Sequence, residues 1–218
     1  EWELPLAHLK PLAEHCHARG IQFSCTPFYL EAVEELAPYV DFYKVASYEL
    51  LVMPLLEACA HSGKPVVLST GMATIEEIKH AASTLRHAGA HDITLLHCVS
   101  AYPTPASEAN LSAIKSIREA TGCKTGWSDH TRRPAVIERA VHHWNAAVVE
   151  FHLDLDGEGA KYASGHCWLT EELAPVIARI HESLFADGTG FKGPQPSEIA
   201  DREWRADPSD GMRPLLHI

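Results

Sequence analysis

Six short apolar runs, each closing on polar residues and followed by a helix-patterned stretch, constrain this chain more than any other feature. They are "IQFSCTPF" (21–28), "DFYKVAS" (41–47), "KPVVLSTG" (64–71), "DITLLHCVS" (92–100), "CKTGWSDHT" (123–131) and "AAVVEFHLD" (146–154). Short apolar runs without strict alternation suit strands buried on both faces, as in a parallel sheet. Helical periodicity fills 5–19, 30–38, 54–62, 74–88, 108–121 and 134–144, and a further stretch at 170–185 follows the last run. Thr74 before Glu76 and Glu77, and Thr170 before Glu171 and Glu172, mark helix starts, because acidic first turns favour the helix dipole. Gly20, Gly63, Gly89 and Gly122 fall where a left-handed residue ends a helix.

The alternation predicts an α/β fold, and two architectures compete for it: a doubly wound open sheet and a (β/α)8 TIM barrel. The polar residues decide between them. Thr26, Ser47, Ser69, Ser100, Ser128 and His152 all stand at the C-terminal ends of their predicted strands. In a barrel those ends open onto one face, whereas an open sheet would gather polar residues at one switch point. The barrel is therefore expected. A barrel of about 250 residues spends roughly 30 on each unit, so six units predict a partial barrel over 1–186 with its first two strands missing. The opening "EWELPLAHLK" reads as a helix already under way. Residues 187–218 shift to Gly, Pro and charge and are expected to form an irregular tail with one short helix near 197–204.

Composition removes several function classes. At 218 residues, 46% hydrophobic and 22% charged, the chain is ordinary globular material. A net charge of −11 argues against a nucleic-acid surface, which needs clustered Lys and Arg. The longest apolar runs are too short to span a bilayer, and no signal-peptide pattern opens the chain. The six cysteines (16, 25, 59, 98, 123 and 167) form no C-x-x-C pair and read as buried thiols of a cytoplasmic protein.

Several residues point to chemistry. His130 and His152 close consecutive strands, so a barrel would place both imidazoles on one rim. They are either two ligands of a catalytic divalent metal or hydrogen-bonded rim histidines. Asp129 and Asp154 are then carboxylates that fix the histidine tautomers, helix caps or solvent-exposed groups. Lys44, inside the apolar "FYKVAS", has no place in a dry core because burying an unpaired charge is costly. It is expected in the barrel mouth, holding a carboxylate or phosphate or forming a Schiff base; a snorkelling stem is the bland alternative. With Thr26, Ser47, Ser69 and Ser128 it would make an anion-binding ring, although strand-end hydroxyls also serve as plain caps. "SAYPTPAS" (100–107) makes a proline-stiffened loop whose Tyr102 leans into the mouth or lies on the surface. His97 and Cys98 are expected in the core. There is no dinucleotide fingerprint, P-loop or G-x-S-x-G elbow.

"FYKVASYEL", "KPVVLSTGMATIEEI", "ITLLHCVSAYPTPASEANLSAI", "GWSDHT" and "VVEFHLDLD", in this order, resemble the sialic acid synthase (N-acetylneuraminate synthase-like) family over about residues 4–185. The resemblance implies a barrel that condenses phosphoenolpyruvate with an N-acetylated hexosamine, releasing phosphate and forming a nine-carbon 2-keto-3-deoxy acid. It implies a divalent metal, Mn2+ or Mg2+, on His130 and His152. It places phosphoenolpyruvate on Lys44, Ser47, Ser69 and Ser128, with Thr26 and Ser100 beside them, and the sugar on Tyr102. Glu150 matches an acidic position of the family and joins His152 as a catalytic candidate. In the family an antifreeze-like domain reaches across a homodimer; on this resemblance the chain is expected to lack it, together with a first-strand acidic residue and a Lys-x-Gln motif. Where relatives carry a "GPD"-like segment, this chain reads "GEGAKYASGHCWL". Two alternatives stay open: another metal-dependent aldol-type barrel making a different 3-deoxy sugar acid, and a non-catalytic barrel remnant that binds sugar or protein. The exposed sheet edges of a partial barrel predict oligomerisation or aggregation.

Overall fold

Seven strands, all parallel, run in one sheet in the order in which they occur along the chain. They belong to a computed structural model that describes residues 4–215. The strands are β1 (Ser24–Cys25), β2 (Phe42–Val45), β3 (Val66–Ser69), β4 (Ile93–Cys98), β5 (Lys124–Asp129), β6 (Val149–Leu153) and β7 (Cys167–Trp168). A doubly wound sheet would reverse its order at a switch point. This one never reverses, so it is a parallel half-barrel. Six strands were expected and seven are present. The added β7 has two residues, too few for any periodicity to announce it.

The helices return the chain between strands: α1 (Leu9–Ala18), α2 (Ala32–Leu36), α3 (Met53–His61), α4 (Ile75–His87), α5 (Ala113–Thr121) and α6 (Pro134–His142). A short α7 (Ala160–Ala163), not foreseen, precedes β7, and α8 (Thr170–Ala186) follows it. Thr74 caps α4 in a reciprocal box: its hydroxyl accepts from Glu77 N at 3.3 Å, and the Glu77 carboxylate accepts from Thr74 N at 2.7 Å. At α8 the expected cap shifts by one residue. Thr170 is already helical, and it is Leu169 whose N–H donates to Glu172 Oε2 at 2.9 Å.

Period-2 geometry sorts the strand residues between two environments. Tyr43, Val45, Val66, Leu68, Ile93 and Leu95 face outward into the main core under the helices. Trp127 faces a second cluster with Ala109, Ile114 and Val136, and Trp168 a third with Ile137, Leu173 and Val176. The alternate set, including Lys44, Ser69, Leu96, Ser128 and Glu150, is left to the concave face. None of the six cysteines forms a disulfide among the described residues, and Cys59, Cys98, Cys123 and Cys167 are buried.

The chain divides into two compact units, Glu1–Ile180 and His181–Ile218. In the second, two 3-10 turns, Pro196–Glu198 and Ala200–Trp204, stand where one short helix was expected. Its Asp207 side chain caps a turn by accepting from Ser209 N at 2.9 Å. No helix among the described residues is long and apolar enough to cross a membrane.

Candidate functional site

The inward residues of β2, β3 and β6 bring three charged or polar groups together. Lys44 Nζ donates to Ser69 Oγ at 2.8 Å and to the Val45 carbonyl at 3.2 Å, and it lies 3.4 Å from Glu150 Oε1. Lys44 is therefore neither in a dry core nor snorkelling past the sheet. Its side chain is 15% exposed against 36% for Glu150, so the cation is set deeper in the wall than its carboxylate partner. Thr26, just past β1, shares with Lys44 and Glu150 a trough of about 1120 Å³ along the concave face, with Thr94 and Leu96 from β4 on its floor.

A second group of hydroxyls stands at the strand ends above. Ser47 opens a 3-10 turn after β2, and its Oγ accepts from Gly71 N at 2.9 Å and lies 3.2 Å from Cys98 Sγ. A Cβ on Gly71 would stand 2.3 Å from Ser100 Oγ and 2.9 Å from Ser47 Oγ, so the backbone here approaches two hydroxyls that no larger residue would permit. Ser100 Oγ is buried with no hydrogen-bond partner, an unusual state for a hydroxyl and one that a ligand atom would relieve. Cys98 and His97 are both buried, as expected, but on opposite sides of the strand: Cys98 lies beside this group, while His97 turns outward, its ring 5.3 Å from that of Trp127 and its Nε2 donating to the Ala109 carbonyl at 3.0 Å. Burial pushes the Cys98 thiol up. It lowers the affinity of His97 for a proton. Glu49, in the same 3-10 turn as Ser47, was not anticipated. Burial pushes its carboxyl up, and its Oε2 is buried without a partner.

The histidines form a third group. His130 follows β5 and is buried; its Nδ1 lies 2.7 Å from the Val99 carbonyl, which can only accept, so Nδ1 carries the proton. In the neutral ring Nε2 is then the bare nitrogen, and it lies 3.4 Å from Ser128 Oγ. The rings of His130 and His152 are 5.2 Å apart. Tyr102 covers them, its ring 4.2 Å from His130 and 5.8 Å from His152. Its loop is stapled to the same place: Thr104 N donates to the His130 carbonyl at 2.8 Å. The tautomer of His130 is thus fixed by a backbone carbonyl, and of the readings left open for Asp129 and Asp154, the one in which they fix histidine tautomers does not apply to His130. Asp154 accepts from the N–H groups of Asp156 and Gly157 in a turn. Asp129 is fully buried on the outward side, where five donors surround it: the indoles of Trp127 and Trp168, both polar groups of Thr131, and Arg132 N.

β7 adds two residues that sequence reasoning passed over. His166 and Cys167 are buried and stand beside His152; the ligating atoms of all three lie within 4.8 Å of one another. The parallel register pairs His152 with Cys167, which explains their shared face. The apolar "CWL" after Gly165 and before the α8 start was the available sign of a strand.

A family model described as the NeuB family matches residues 1–192. An N,N'-diacetyllegionaminic acid synthase of Campylobacter jejuni is 36% identical over 199 residues, which cover 90% of this chain and 59% of that one. An uncharacterised protein of Methanocaldococcus jannaschii is 40% identical over 202 residues, covering 90% of this chain and 58% of its own. The chain therefore spans a little under three-fifths of the length of these relatives. Among solved structures, the N-acetylneuraminic acid synthetase of Leptospira borgpetersenii, crystallised with citrate, superposes with a TM-score of 0.80 at 31% identity, over 95% of this chain and 73% of that one.

Proposed function

This chain belongs to the NeuB family, and from that premise we propose that it condenses phosphoenolpyruvate with an N-acetylated hexosamine to a nine-carbon 2-keto-3-deoxy acid. In this reaction the enol carbon of phosphoenolpyruvate bonds to the aldehyde carbon. Water adds to the carbon that bears the phosphate, and inorganic phosphate leaves. The observation that carries the reading is one wall holding a cation, several hydroxyls and an orphaned buried serine. Lys44 and Ser69 are already bonded at 2.8 Å, and Ser47, Ser100 and Gly71 crowd together beside them.

On this reading Lys44 and Ser69 neutralise and orient the carboxylate or phosphate of the enol, with Ser47, Ser100 and Ser128 as further donors and Thr26 beside Lys44 in the trough. Glu150 Oε1, across from Lys44 Nζ, takes a proton from the attacking water. Tyr102, 44% exposed, meets the sugar at the mouth. Since Val99 holds the proton of His130 on Nδ1, the Nε2 of that ring and the imidazole of His152 fit a divalent cation, in this reading Mn2+ or Mg2+. When bound it supplies Lewis-acid polarisation of the aldehyde oxygen. The test is phosphate release from phosphoenolpyruvate by the purified protein, across a panel of N-acetylated hexosamines, with and without manganese. Release that needs both sugar and metal, and that is lost in His130→Ala and His152→Ala, is expected. Release indifferent to the sugar, or none with any member of the panel, overturns the reading.

A further inference from the structure

The β6–β7 edge carries ligand chemistry that the two-histidine reading does not use. His152, His166 and Cys167 offer two imidazole nitrogens and one sulfur within 4.8 Å of one another. A tetrahedral cation with bonds of roughly 2.0–2.3 Å holds its ligand atoms about 3.3–3.6 Å apart. Side-chain rotations that move these atoms by about 1 Å would therefore close the set. The backbone already favours closure, because parallel pairing fixes His152 and Cys167 side by side on one face. Ser164 Oγ lies 2.9 Å from His166 Nδ1, the kind of outer hydrogen bond that orients a ligating imidazole. The Tyr102 ring stands 5.8 Å from His152 and 5.2 Å from His166 and screens both from the mouth, while Cys167 is only 3% exposed.

We propose that His152, His166 and Cys167 form a metal site in this chain, and that its sulfur ligand selects a borderline or thiophilic divalent cation such as zinc, iron(II) or cobalt(II) over magnesium or manganese. The inference deepens the reading above: it keeps a cation at His152 but replaces Mn2+ or Mg2+ there by one that the sulfur prefers, so the two assignments of His152 are alternatives. Thiolate ligands disfavour the hard cations, and manganese binds nitrogen–sulfur sets more weakly than the later first-row metals. Binding deprotonates the Cys167 thiol, and that proton goes to solvent.

The test is a titration of the purified, metal-stripped protein with cobalt(II) alone, followed by absorption. One equivalent is expected to give a thiolate-to-cobalt charge-transfer band together with intensified visible bands of tetrahedral cobalt. Cys167→Ser and Cys167→Ala should abolish the charge-transfer band, and His166→Gln, which removes a ligand, should weaken cobalt binding by at least the about 10–100-fold that loss of an outer partner costs. His130→Ala should keep the band. Circular dichroism reports whether each variant is folded, and one arm needs no variant: zinc should displace cobalt from the wild-type protein, and a hundredfold excess of manganese should not. Cobalt that binds without the charge-transfer band, and is lost in His130→Ala, overturns this site and leaves the two-histidine cation standing. Displacement by manganese, or no cobalt binding at all, overturns it too, whatever the phosphate-release assay gives.

Discussion

Replacing Asp129 by Asn changes one atom and should cost more than most core truncations. Asp129 Oδ1 accepts from Trp127 Nε1 at 3.1 Å, Thr131 N at 3.2 Å and Thr131 Oγ1 at 2.7 Å. Its Oδ2 accepts from Arg132 N at 3.1 Å and Trp168 Nε1 at 3.1 Å. An asparagine placed to lose least keeps its oxygen toward the first three donors and turns its NH2 on the other two. Two hydrogen bonds to a charged acceptor then become donor against donor, in a site with no exposure to water. Hydrogen bonds to charged groups are worth about 1.5–3 kcal/mol each, so the loss is about 3–6 kcal/mol. That is a large share of a typical stability of about 5–15 kcal/mol, and it corresponds to a fall in Tm of roughly 6–24 °C for a chain of this size. Urea and thermal unfolding followed by circular dichroism and tryptophan fluorescence measure it, since two of the donors are indoles. Because both Asp129 oxygens are taken up by Trp127, Thr131, Arg132 and Trp168 on the outward face, metal affinity of the folded fraction should change less than threefold. A variant that melts within about 2 °C of wild type but binds metal much more weakly would refute the reasoning. It would return Asp129 to the role of a histidine orienter.

Lys44→Gln removes the only cation bonded to Ser69 among the described contacts and should raise the KM for phosphoenolpyruvate about 10–150-fold, the equivalent of 1.5–3 kcal/mol; steady-state kinetics decide it, and an unchanged KM counts against Lys44 as the anion anchor. Gly71→Ala places a Cβ 2.3 Å from Ser100 Oγ and 2.9 Å from Ser47 Oγ, so apparent affinity for phosphoenolpyruvate should fall at least about 10-fold, or the protein should lose stability by about 1–3 kcal/mol through overpacking. Kinetics and a melt indistinguishable from wild type would show that the cradle is slack. Glu172 is held below its ordinary value of 4.5, first by the Leu169 N–H and then by Arg132. A carboxyl depressed on folding contributes stability above its unfolded pKa and loses it as pH falls through the folded value. Glu172→Gln should therefore destabilise the protein at neutral pH and flatten its loss of stability below about pH 4.5, read from melts across that range; an acid limb as steep as wild type would contradict this.

The chain made its strand faces legible because period-2 alternation and polar strand ends are local properties. Lys44, Ser69 and Glu150 meet on one wall, as their positions in "FYKVAS", "VVLSTG" and "VVEFHLD" imply. The Thr74 cap was likewise written in three successive residues. What failed was anything that depends on a partner far along the chain. Asp129 looked like a neighbour of His130, but a strand turns adjacent side chains to opposite faces, and one of its five donors, the Trp168 indole, lies 39 residues away. Cys98 and His97 are both buried as expected, but the pleat turns them to opposite faces, which puts Cys98 beside Ser47. His166 and Cys167 stayed hidden because a two-residue strand has no period, and only the register with His152 makes them neighbours.

Two ladder pairs are little backbone to hold a strand in place, and β7 has no more than that with β6. What pins it is the Trp168 indole, which reaches the Asp129 carboxylate at the foot of the β5 turn. Residues 155–165 therefore run as a bridge between two independently anchored posts, β6 at one end and a tryptophan bolt at the other. Two residues inside the span tie it to its surroundings: Tyr162 Oη accepts from Arg132 Nη2 at 2.9 Å, and Ser164 Oγ lies 2.9 Å from His166 Nδ1. A span of different sequence that keeps Tyr162 and Ser164 would then deliver a new lip to the mouth of the half-barrel while the wall behind it stayed where it is.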